Sequence, residues 1–372
     1  MKICMYNVTS CYVTGGLETY YWEMGRALAR RGHDVTLVAG ARGAAWHDEV
    51  RLVQFPFRVE QEWPNFGHRF QRLMERLSFA RYTLDHLTSA AYDAVVICKP
   101  FDFPVMWWAR RRGMKAAILF HTGGTDFFFG DRWFVGAVDH LIGVSRYTAR
   151  QQEVRYGRGV SIVHNGVDTA CFRPMARDLK RRAGWGFPAD ARILVSVGRL
   201  VGWKGLRIII SVLPRLAPDV CYLVVGVGPE GAVLRAQAES LGVAGRVHFT
   251  GRIEHGDLAG VISEADLYVQ PSIGEEAFGI SVAEAMACGL PVLASRSGGL
   301  PEVVAEGKTG WLAPPGDELA WTNCLNDALC DSPRLRRMGD AGRKRVGEHF
   351  TWATTSAQLE QIMESGRSCA AS

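Results

Sequence analysis

The stretch from residue 269 to residue 304, VQPSIGEEAFGISVAEAMACGLPVLASRSGGLPEVV, guides the interpretation of the whole chain. It predicts two consecutive strand-loop-helix units, the arrangement typical of a parallel α/β sheet. Gly289 and Pro291 end the first helix, because glycine favours the left-handed cap and proline cannot continue a helix. The predicted parts are a strand Leu267 to Val269, a loop Pro271 to Ala277, a helix Ile280 to Cys288, a strand Pro291 to Ala294 and a turn Ser297 to Gly299.

Two acidic residues in this stretch, Glu276 and Glu284, are expected to face one ligand from different elements. On a single helix their separation would rotate one side chain away from the other by roughly 80°. We therefore place Glu276 in the loop and Glu284 on the second turn of the helix. The backbone N–H groups of residues 277–279 and the positive end of the helix would point the same way. This combination suits a diphosphate flanked by two hydroxyl-bearing groups, as in a nucleotide sugar; the alternative is an unrelated surface acid and helix acid.

The stretch resembles the acidic signature of glycosyltransferase family 4, the retaining group 1 glycosyl transferases with the GT-B fold. The resemblance rests on the two glutamates, the Gly-Ile-Ser helix entry, the Ala-Met-Ala-Cys-Gly helix exit and the Pro-Val-Leu-Ala strand, all in order. It implies an α/β protein with two Rossmann-like, doubly wound parallel-sheet domains facing each other across a cleft. The donor-binding residues that it implies here are Ala277, Phe278, Gly279, Ile280 and Glu284.

Length and composition are consistent with two domains. A chain of 372 residues, 48% of them hydrophobic, is too long for one ordinary core. We place the boundary between residues 172 and 173, with a C-terminal helix of about residues 351–366 that the resemblance returns to the first domain. Residues 368–372 are expected to form a tail without structure.

The cysteines and the apolar runs predict a cytoplasmic protein. The nine cysteines are scattered without a C-x-x-C pair, which favours reduced thiols and argues against a structural zinc site. No apolar run approaches the roughly 18 residues that a membrane span needs. The N-terminus enters a strand pattern directly, without the features of a signal peptide.

The first half alternates short strands with helical stretches, which indicates a doubly wound sheet. Its strand candidates are Lys2 to Val8, Asp34 to Gly40, Arg51 to Phe55, Ala94 to Cys98, Ala116 to Phe120, His140 to Val144 and Val160 to Val163. Gly15 and Gly16 precede the first helix, where adjacent glycines let the backbone approach a ligand closely. The resemblance places this pair near the sugar and the diphosphate; the alternative is a simple helix-entry turn.

His121 and the segment from His164 to Asp168 complete the predictions for the first half. His121 follows a strand at the carboxyl edge of the sheet, beside two glycines, from where it can reach a ligand. The resemblance places it near the donor sugar with a catalytic role. The Asn-Gly-Val-Asp sequence of the second segment resembles the interdomain hinge of the family.

The second half opens with a strand and the turn Gly198 to Gly205, which carries Arg199 and Lys204. The planar fork of arginine and the point charge of lysine can converge on one diphosphate. The turn resembles the phosphate clamp of family 4, and both cations are predicted to be catalytic; the alternative is two solvated cations. The resemblance also places the backbone of Ile253 near the nucleotide base.

The segment Gly226 to Gly231 satisfies the G-x-G-x-x-G pattern, so an NAD-binding site has to be weighed. The next strand, Val247 to Thr250, ends without the carboxylate that would bind a ribose. Pro229 also lies at the helix entry. We therefore interpret the match as coincidental for NAD.

The charge distribution bears on possible partners. The first 172 residues contain 21 lysines and arginines against 16 acidic residues, whereas the remaining 200 contain 22 of each. Residues 62–87 interleave aromatic and basic side chains at helical spacing, and residues 107–112 read WWARRR. Both segments are candidates for contact with an anionic membrane. The alternative is a helix that covers the sheet while its arginines extend to solvent.

Together these features predict a retaining glycosyltransferase that moves a sugar from a nucleoside-diphosphate donor to a hydroxyl of a glycan or lipid-linked acceptor, in cell-envelope polysaccharide or lipopolysaccharide synthesis. Glu276 would orient the sugar hydroxyls, Glu284 would bind the ribose, and Arg199 and Lys204 would neutralise the leaving diphosphate. The sequence has no D-x-D motif, so we expect no metal; we also expect no cofactor and no nucleic-acid partner. The alternatives are a nucleotide-sugar epimerase, an NAD-linked dehydrogenase and a non-catalytic sugar-nucleotide sensor.

Overall fold

The computed structural model describes residues 1–13, 15–124 and 126–370. The chain divides into two compact units: residues 1–166 together with the residues from 352 onward, and residues 167–351. This division falls inside the Asn-Gly-Val-Asp segment, at residue 166 rather than at residue 172. Each unit is an α/β structure, as predicted.

The first unit is built on a sheet that, in the described residues, has seven parallel strands. The strands are β1 Lys2–Tyr6, β2 Asp34–Gly40, β3 Arg51–Phe55, β4 Ala94–Ile97, β5 Ala117–Thr122, β6 His140–Gly143 and β7 Ser161–Ile162. The helices between them are α1 Gly16–Arg30, α2 His68–Ser89, α3 Phe103–Arg111, α4 Asp131–Phe134 and α5 Arg146–Tyr156. The strand order is β3-β2-β1-β4-β5-β6-β7. Apolar clusters cover both faces of the sheet, which explains why its strands are nearly continuous apolar runs.

The second unit repeats this plan with six parallel strands in the part of the chain that is described. The strands are β8 Arg192–Val197, β9 Val220–Val225, β10 Val247–Gly251, β11 Leu267–Gln270, β12 Val292–Ser295 and β13 Gly310–Ala313. The helices are α6 Leu179–Gly184, α7 Leu206–Val212, α8 Gly231–Ser240, α9 Leu258–Ile262, α10 Ile280–Ala287, α11 Leu300–Val303, α12 Glu318–Cys330 and α13 Ser332–His349. The order is β10-β9-β8-β11-β12-β13. The sequence analysis did not predict strand β13.

The last helix, α14 Trp352–Ala370, is grouped with the first unit and packs on α1. Trp352, Leu359 and Met363 enter the apolar cluster that also contains residues of α1. Residues 368–370 continue the helix, so the expectation of a tail without structure was wrong for them. The last two residues of that predicted tail lie outside the described residues.

Helix α2 packs part of its surface on the sheet, which was one of the two interpretations weighed for residues 62–87. Arg76 is buried, and its Nη1 atom donates to both carboxylate oxygens of Asp102, at 2.7 and 2.6 Å. Phe79 is buried in the core, whereas Phe66 is 77% exposed and Arg69 lies at the surface. Only part of the segment is therefore available to a membrane. No helix in the described ranges is both long and apolar enough to span a bilayer.

Candidate active site

The strand order of the second unit defines where a ligand is expected to bind. The chain leaves β8 toward β9 on one side, while β11 lies on the other side of β8. Ligands of doubly wound sheets bind outside the carboxyl ends of the strands at such a switch point. The segments that follow these two strands are residues 198–205 after β8 and residues 271–279 after β11. We refer to these two segments as the switch-point loops.

The backbones of the two switch-point loops interlock. The N–H groups of Ile273 and Gly274 both donate to the Trp203 carbonyl oxygen, at 2.9 and 3.0 Å. Gly205 has a φ of +67°, and a Cβ atom there would lie 2.0 Å from the Pro271 carbonyl oxygen. Only glycine combines this conformation with this close approach. The turn that carries Lys204 is thereby fixed against the loop that carries Glu276.

Glu276 and Lys204 form a direct ion pair. The Lys204 Nζ atom lies 2.6 Å from Glu276 Oε1, and the glutamate is only 7% exposed. The same oxygen accepts hydrogen bonds from the Gln270 amide and the Ser272 hydroxyl, each at 2.8 Å. The sequence predicted separate roles for the two residues, one at the sugar and one at the diphosphate. The structure brings them together, and these roles stay predictions.

Three polar residues that support Glu276 were missed by sequence reasoning. Gln270 and Ser272 contact the carboxylate, and the buried Tyr268 hydroxyl donates to Gln270 Oε1 at 3.1 Å. The Tyr268 hydroxyl is protonated at neutral pH, and burial raises its pKa further above the ordinary value of about 10. The sequence did contain a signal for these two residues, because polar Gln270 and Ser272 flank Pro271 at the end of an apolar strand, where ligand-binding residues are expected.

The second glycine-rich turn, residues 297–299, holds the Glu276 backbone. The Gly299 N–H donates to the Glu276 carbonyl oxygen at 2.7 Å, and the Ser297 hydroxyl donates to the Gly274 carbonyl oxygen at 3.0 Å. Gly298 has a φ of +55°, and a Cβ atom there would lie 2.0 Å from that Glu276 oxygen. The turn therefore supports the acidic loop.

Glu284 lies on the second turn of α10, as predicted. Its Oε1 atom is 3.0 Å from the Nε2 atom of His255, a residue that the sequence analysis did not single out. Glu284 is buried, and the half-buried Ile253 lies two residues before His255. The structure thus places Glu284 beside the segment that was predicted to meet the nucleotide base.

The remaining donor-loop predictions fall at the start of α10. Gly279 caps the helix in the left-handed region, with φ 97° and ψ 58°. Phe278 is buried, with its ring 5.4 Å from that of Phe350, so the ring anchors the loop in the core. Ala277 and Ile280 are half-buried on either side. Ligand binding by the backbone of these four residues stays a prediction.

Arg199 differs from Lys204 in having no fixed partner. Its side chain is exposed, and within the described residues its guanidinium makes no hydrogen bond or ion pair. Gly198, with a φ of +151°, precedes it, and a Cβ atom on Gly198 would lie 3.8 Å from Lys204 Cε. The convergence of the two cations on one diphosphate stays a prediction.

The glycines of the G-x-G-x-x-G segment have a structural use. A Cβ atom on Gly226 would lie 2.0 Å from the Gly198 carbonyl oxygen, and one on Gly228 would lie 2.3 Å from the Leu200 carbonyl oxygen. These glycines therefore allow the segment after β9 to pack on the switch-point loop after β8. This packing accounts for the first two glycines of the pattern without a dinucleotide.

In the first unit, Gly15 and Gly16 lie at the start of α1. Gly15 is the N-cap residue in an extended conformation, without a side-chain cap, and both glycines are exposed. Glu18, in the first turn of the helix, is buried and accepts a 2.6 Å hydrogen bond from the Thr9 hydroxyl. The predicted proximity of the glycine pair to a diphosphate is not tested by this geometry.

His121 is buried inside the first unit with both ring nitrogens occupied. Nε2 lies 2.8 Å from the Val163 carbonyl oxygen, and Nδ1 lies 2.5 Å from the Tyr20 hydroxyl. Burial lowers the pKa of His121 to about 4, against the opposing effect of the Val163 hydrogen bond. The ring is therefore neutral at pH 7, with Nε2–H donating and Nδ1 accepting. For its predicted catalytic role, His121 would have to give up one of these two hydrogen bonds and form a contact with the ligand instead.

The chain matches two protein families along most of its length. Residues 178–345 match the family described as Glycosyl transferases group 1, and residues 14–170 match the one described as Glycosyltransferase Family 4.

Two curated proteins are similar over nearly the whole chain. A GDP-mannose-dependent alpha-(1-6)-phosphatidylinositol monomannoside mannosyltransferase of Mycolicibacterium smegmatis is 31% identical, over 95% of this chain and 95% of its own. A D-inositol 3-phosphate glycosyltransferase of Mycobacterium tuberculosis is 35% identical, over 93% of this chain and 78% of its own.

Solved structures share the fold. Sucrose-phosphate synthase of Thermosynechococcus elongatus superimposes with a TM-score of 0.83 at 25% identity and covers 100% of both chains. Anabaena HepE in complex with UDP and glucose has a TM-score of 0.81 at 23% identity, and covers 98% of this chain and 100% of its own.

Proposed function

The chain belongs to the group 1 glycosyltransferases of family 4 and has their GT-B fold, and from this premise we propose that it is a retaining enzyme that uses a nucleoside-diphosphate sugar. The sugar would move to a hydroxyl of a glycan or lipid-linked acceptor in cell-envelope synthesis. The proposal assigns donor binding to the second unit and acceptor binding to the first.

One observation carries the proposal: the switch-point loops bring an acid, the lysine paired with it and an arginine that has no partner among the described residues to one edge of the second sheet. Expulsion of a diphosphate needs cations at the leaving group, and Arg199 and Lys204 are available at that edge. The names of two similar proteins support such a donor, since one is GDP-mannose-dependent and the other binds UDP and glucose.

The proposed reaction exchanges one bond at the anomeric carbon. The bond from this carbon to the diphosphate oxygen breaks, and a bond to the acceptor hydroxyl oxygen forms on the same face of the sugar. The departing phosphate oxygen takes the acceptor proton, so atoms and charge balance. Arg199 and Lys204 stabilise the leaving group without a metal ion, and Glu276 holds the sugar hydroxyls and favours the developing positive charge.

Donor entry changes the partner of Lys204 in this mechanism. In the structure the Lys204 ammonium lies 2.6 Å from Glu276 Oε1, which neutralises its charge. A diphosphate carries more charge and more acceptor oxygens than one carboxylate, so it competes for the ammonium. Glu276 then loses its contact with Lys204 and can accept hydrogen bonds from the sugar hydroxyls. Its hydrogen bonds from Gln270 and Ser272 remain and keep the carboxylate in place.

Glu284 binds the ribose of the donor in this proposal. It lies on a helix whose buried face fixes its position, and the Nε2 atom of His255 lies within hydrogen-bond distance of its Oε1 atom, which accepts when Nε2 carries the proton. The acceptor is proposed to bear a phosphate or a lipid, because the names of two similar proteins include phosphatidylinositol monomannoside and inositol 3-phosphate.

A thermal-shift panel of UDP, GDP and ADP and of their sugar conjugates tests donor binding. A ligand at 100 times its Kd stabilises the folded protein by about 2.7 kcal/mol, so the correct nucleotide should raise the melting temperature clearly. Variants Arg199→Gln and Lys204→Gln should reduce this shift. If no nucleotide raises the melting temperature, the proposal is wrong.

Product analysis with the bound nucleotide sugar then separates the enzyme classes. Transfer to an acceptor with retained anomeric configuration, or slow donor hydrolysis, supports the proposal. An altered sugar without any acceptor identifies an epimerase. Binding of NADH identifies a dehydrogenase, and donor binding without any turnover identifies a sensor.

A further inference from the structure

The first unit has its own switch point, between β1 and β4. The chain passes from β1 to β2 on one side of β1, and β4 lies on the other side. The segments after β1 and β4 therefore diverge at the carboxyl edge, which is where ligands of such sheets bind. The segment after β1 leads through Asn7 to Gly15, and the segment after β4 begins at Cys98 and Lys99.

The buried polar groups at this switch point are already satisfied. Arg76 donates to both oxygens of Asp102, and its Nη2 atom donates to the Asn7 side-chain oxygen at 3.1 Å. All three side chains are buried. The charge of Arg76 is therefore used inside the protein and is not available to a ligand.

Around this buried group lies a set of cations that is only partly neutralised, which we call the cationic rim: Arg69, Arg72 and Lys99. Lys99 Nζ lies 2.7 Å from Asp126 Oδ2, and Arg72 Nη1 lies 3.1 Å from the same oxygen. Glu60 is 3.6 Å from Arg72. The three cations thus have two neighbouring carboxylates, Asp126 and Glu60. The partly exposed Asp126 contacts both Lys99 and Arg72.

The cations act together on Asp126. Partial burial opposes ionisation of this carboxyl group, but the charges of Lys99, Arg72 and Arg69 outweigh it and lower its pKa. Gly123 and Gly124 have room beside them, because a Cβ atom on either would meet no atom of the described residues within 4 Å. An anion brought to this edge would meet cations and open space.

We propose that the cationic rim binds a phosphate group on the acceptor and that Asp126 occupies the cations until this phosphate arrives. The inference rests on the proposed function, because it assigns the acceptor to the first unit. A phosphate offers at least three acceptor oxygens and more charge than a carboxylate, so it can bridge Lys99 and Arg72 and displace Asp126. The phosphate belongs either to a polyol monoester or to a lipid headgroup.

Calorimetric titration of the full-length protein without donor tests the site. The probes are myo-inositol 1-phosphate, neutral myo-inositol, and vesicles of phosphatidylinositol or of phosphatidylcholine. We expect the soluble phosphate monoester, the phosphatidylinositol vesicles or both to bind, and the neutral counterparts to bind more weakly. The soluble and vesicle arms distinguish the two sources of the phosphate. Equal binding of charged and neutral probes contradicts the proposal.

Variants in the rim separate this site from the second unit. Lys99→Gln combined with Arg72→Gln should raise the Kd of the bound phosphate probe about tenfold to hundredfold, because charge-assisted hydrogen bonds are lost. The matched control is Arg81→Gln, an exposed position on the same helix, which should leave the Kd unchanged. Phosphate binding that survives the double substitution belongs elsewhere and overturns the assignment.

Asp126→Asn gives a result that a purely structural role would not give. Removal of the competing negative charge should lower the Kd of the phosphate probe severalfold, whereas a structural anchor would weaken binding when neutralised. Weaker binding in Asp126→Asn therefore overturns the proposal. Nucleotide binding is measured in parallel: if nucleotides bind but phosphate probes do not, this inference fails and the proposed function stands.

Discussion

At the scale of single residues, the contact between Lys204 and Glu276 matters most for the chemistry. Each residue is predicted to act on the donor, yet in the structure each neutralises the charge of the other. The pair is largely buried, so removal of one partner leaves an uncompensated charge, whereas removal of both does not. Stability and turnover should therefore respond differently to single and double substitutions.

Glu276→Gln should lower both turnover and stability. Loss of the carboxylate removes the group proposed to act on the sugar, and it leaves Lys204 without its counterion, at a cost of about 1–3 kcal/mol. Initial rates and urea unfolding measure the two effects. The double variant Lys204→Met with Glu276→Gln should recover stability but not turnover. Unchanged turnover in the single variant contradicts the role of Glu276.

Glu284→Ala should mainly weaken binding of the nucleotide. The lost hydrogen bonds to ribose hydroxyls correspond to about 1–3 kcal/mol, with a smaller effect on turnover at saturating donor. Nucleotide titration of the wild type and the variant measures the difference. His255→Ala should have a smaller effect in the same direction, since it removes only the residue that holds one Glu284 oxygen. Equal nucleotide affinity in wild type and Glu284→Ala would refute the assignment.

His121 should make folding stability depend on pH. Its pKa of about 4 in the folded state lies below the ordinary value of 6.5, so the unfolded chain binds a proton first as the pH falls. The stabilisation is complete above pH 6.5 and is lost progressively between pH 6.5 and 4, by about 3 kcal/mol. Urea midpoints at pH 7 and pH 5 measure this. His121→Gln should have a shallower pH dependence, and an identical slope would contradict the interpretation.

At the scale of single elements, the turn of residues 297–299 illustrates how one element positions another. It carries no predicted catalytic group, but Gly298 and Gly299 contact the Glu276 backbone. The glycine-rich sequence after β12 is therefore explained by support for the loop after β11. Substitution in the turn should act on the site through packing.

Gly298→Ala should destabilise the protein by about 2–4 kcal/mol. The left-handed backbone disfavours alanine, and the new Cβ atom would lie 2.0 Å from the Glu276 carbonyl oxygen. The matched control is Gly307→Ala, where φ is +73° but a Cβ atom meets nothing within 4 Å, and its cost should be about 1 kcal/mol. Urea unfolding compares the two. Equal destabilisation would show that the close contact with Glu276 has no importance.

The exposed parts of residues 62–87 and 107–112 should bind anionic vesicles at low salt. Phe66 and Trp108 are exposed beside Arg69 and Arg111, while the inward-facing Arg76 takes no part. Co-sedimentation with phosphatidylglycerol vesicles should fall in about 0.5 M salt because screening removes the attraction. Phe66→Ser with Trp108→Ser should reduce it, whereas the control Leu319→Ser, an exposed leucine of the second unit, should not. Equal binding to neutral vesicles would contradict the electrostatic explanation.

At the scale of the whole molecule, two doubly wound sheets repeat one plan with different side chains. In the second unit, the segments after the switch-point strands carry Lys204 and Glu276. In the first unit, the cationic rim lies at the corresponding edge. The same topology thus offers two binding edges, and the charges on each determine which chemical group it is suited to bind.

Much of this organisation was predictable from short segments. The strands, the start of α10 and the positions of Glu276 and Glu284 on loop and helix follow from local periodicity and from glycine and proline. The four-residue strand β13 was missed, although β11 and β12, which are equally short, were found because glycine and proline mark the turns around them. Residues 62–87 were predicted as a basic helix, but a sequence pattern does not show which arginine finds a buried partner.

The amino-acid sequence by itself determined the family, the fold class and the residues that could carry the chemistry, because motifs and element starts are properties of neighbouring positions. Only the tertiary structure decided which of these residues meet. Lys204 and Glu276 are 72 positions apart, Glu284 and His255 are 29 apart, and Arg76 and Asp102 are 26 apart. Such pairs depend on strand order and on the packing of loops at the edge of the sheet, and neither is encoded in any single segment.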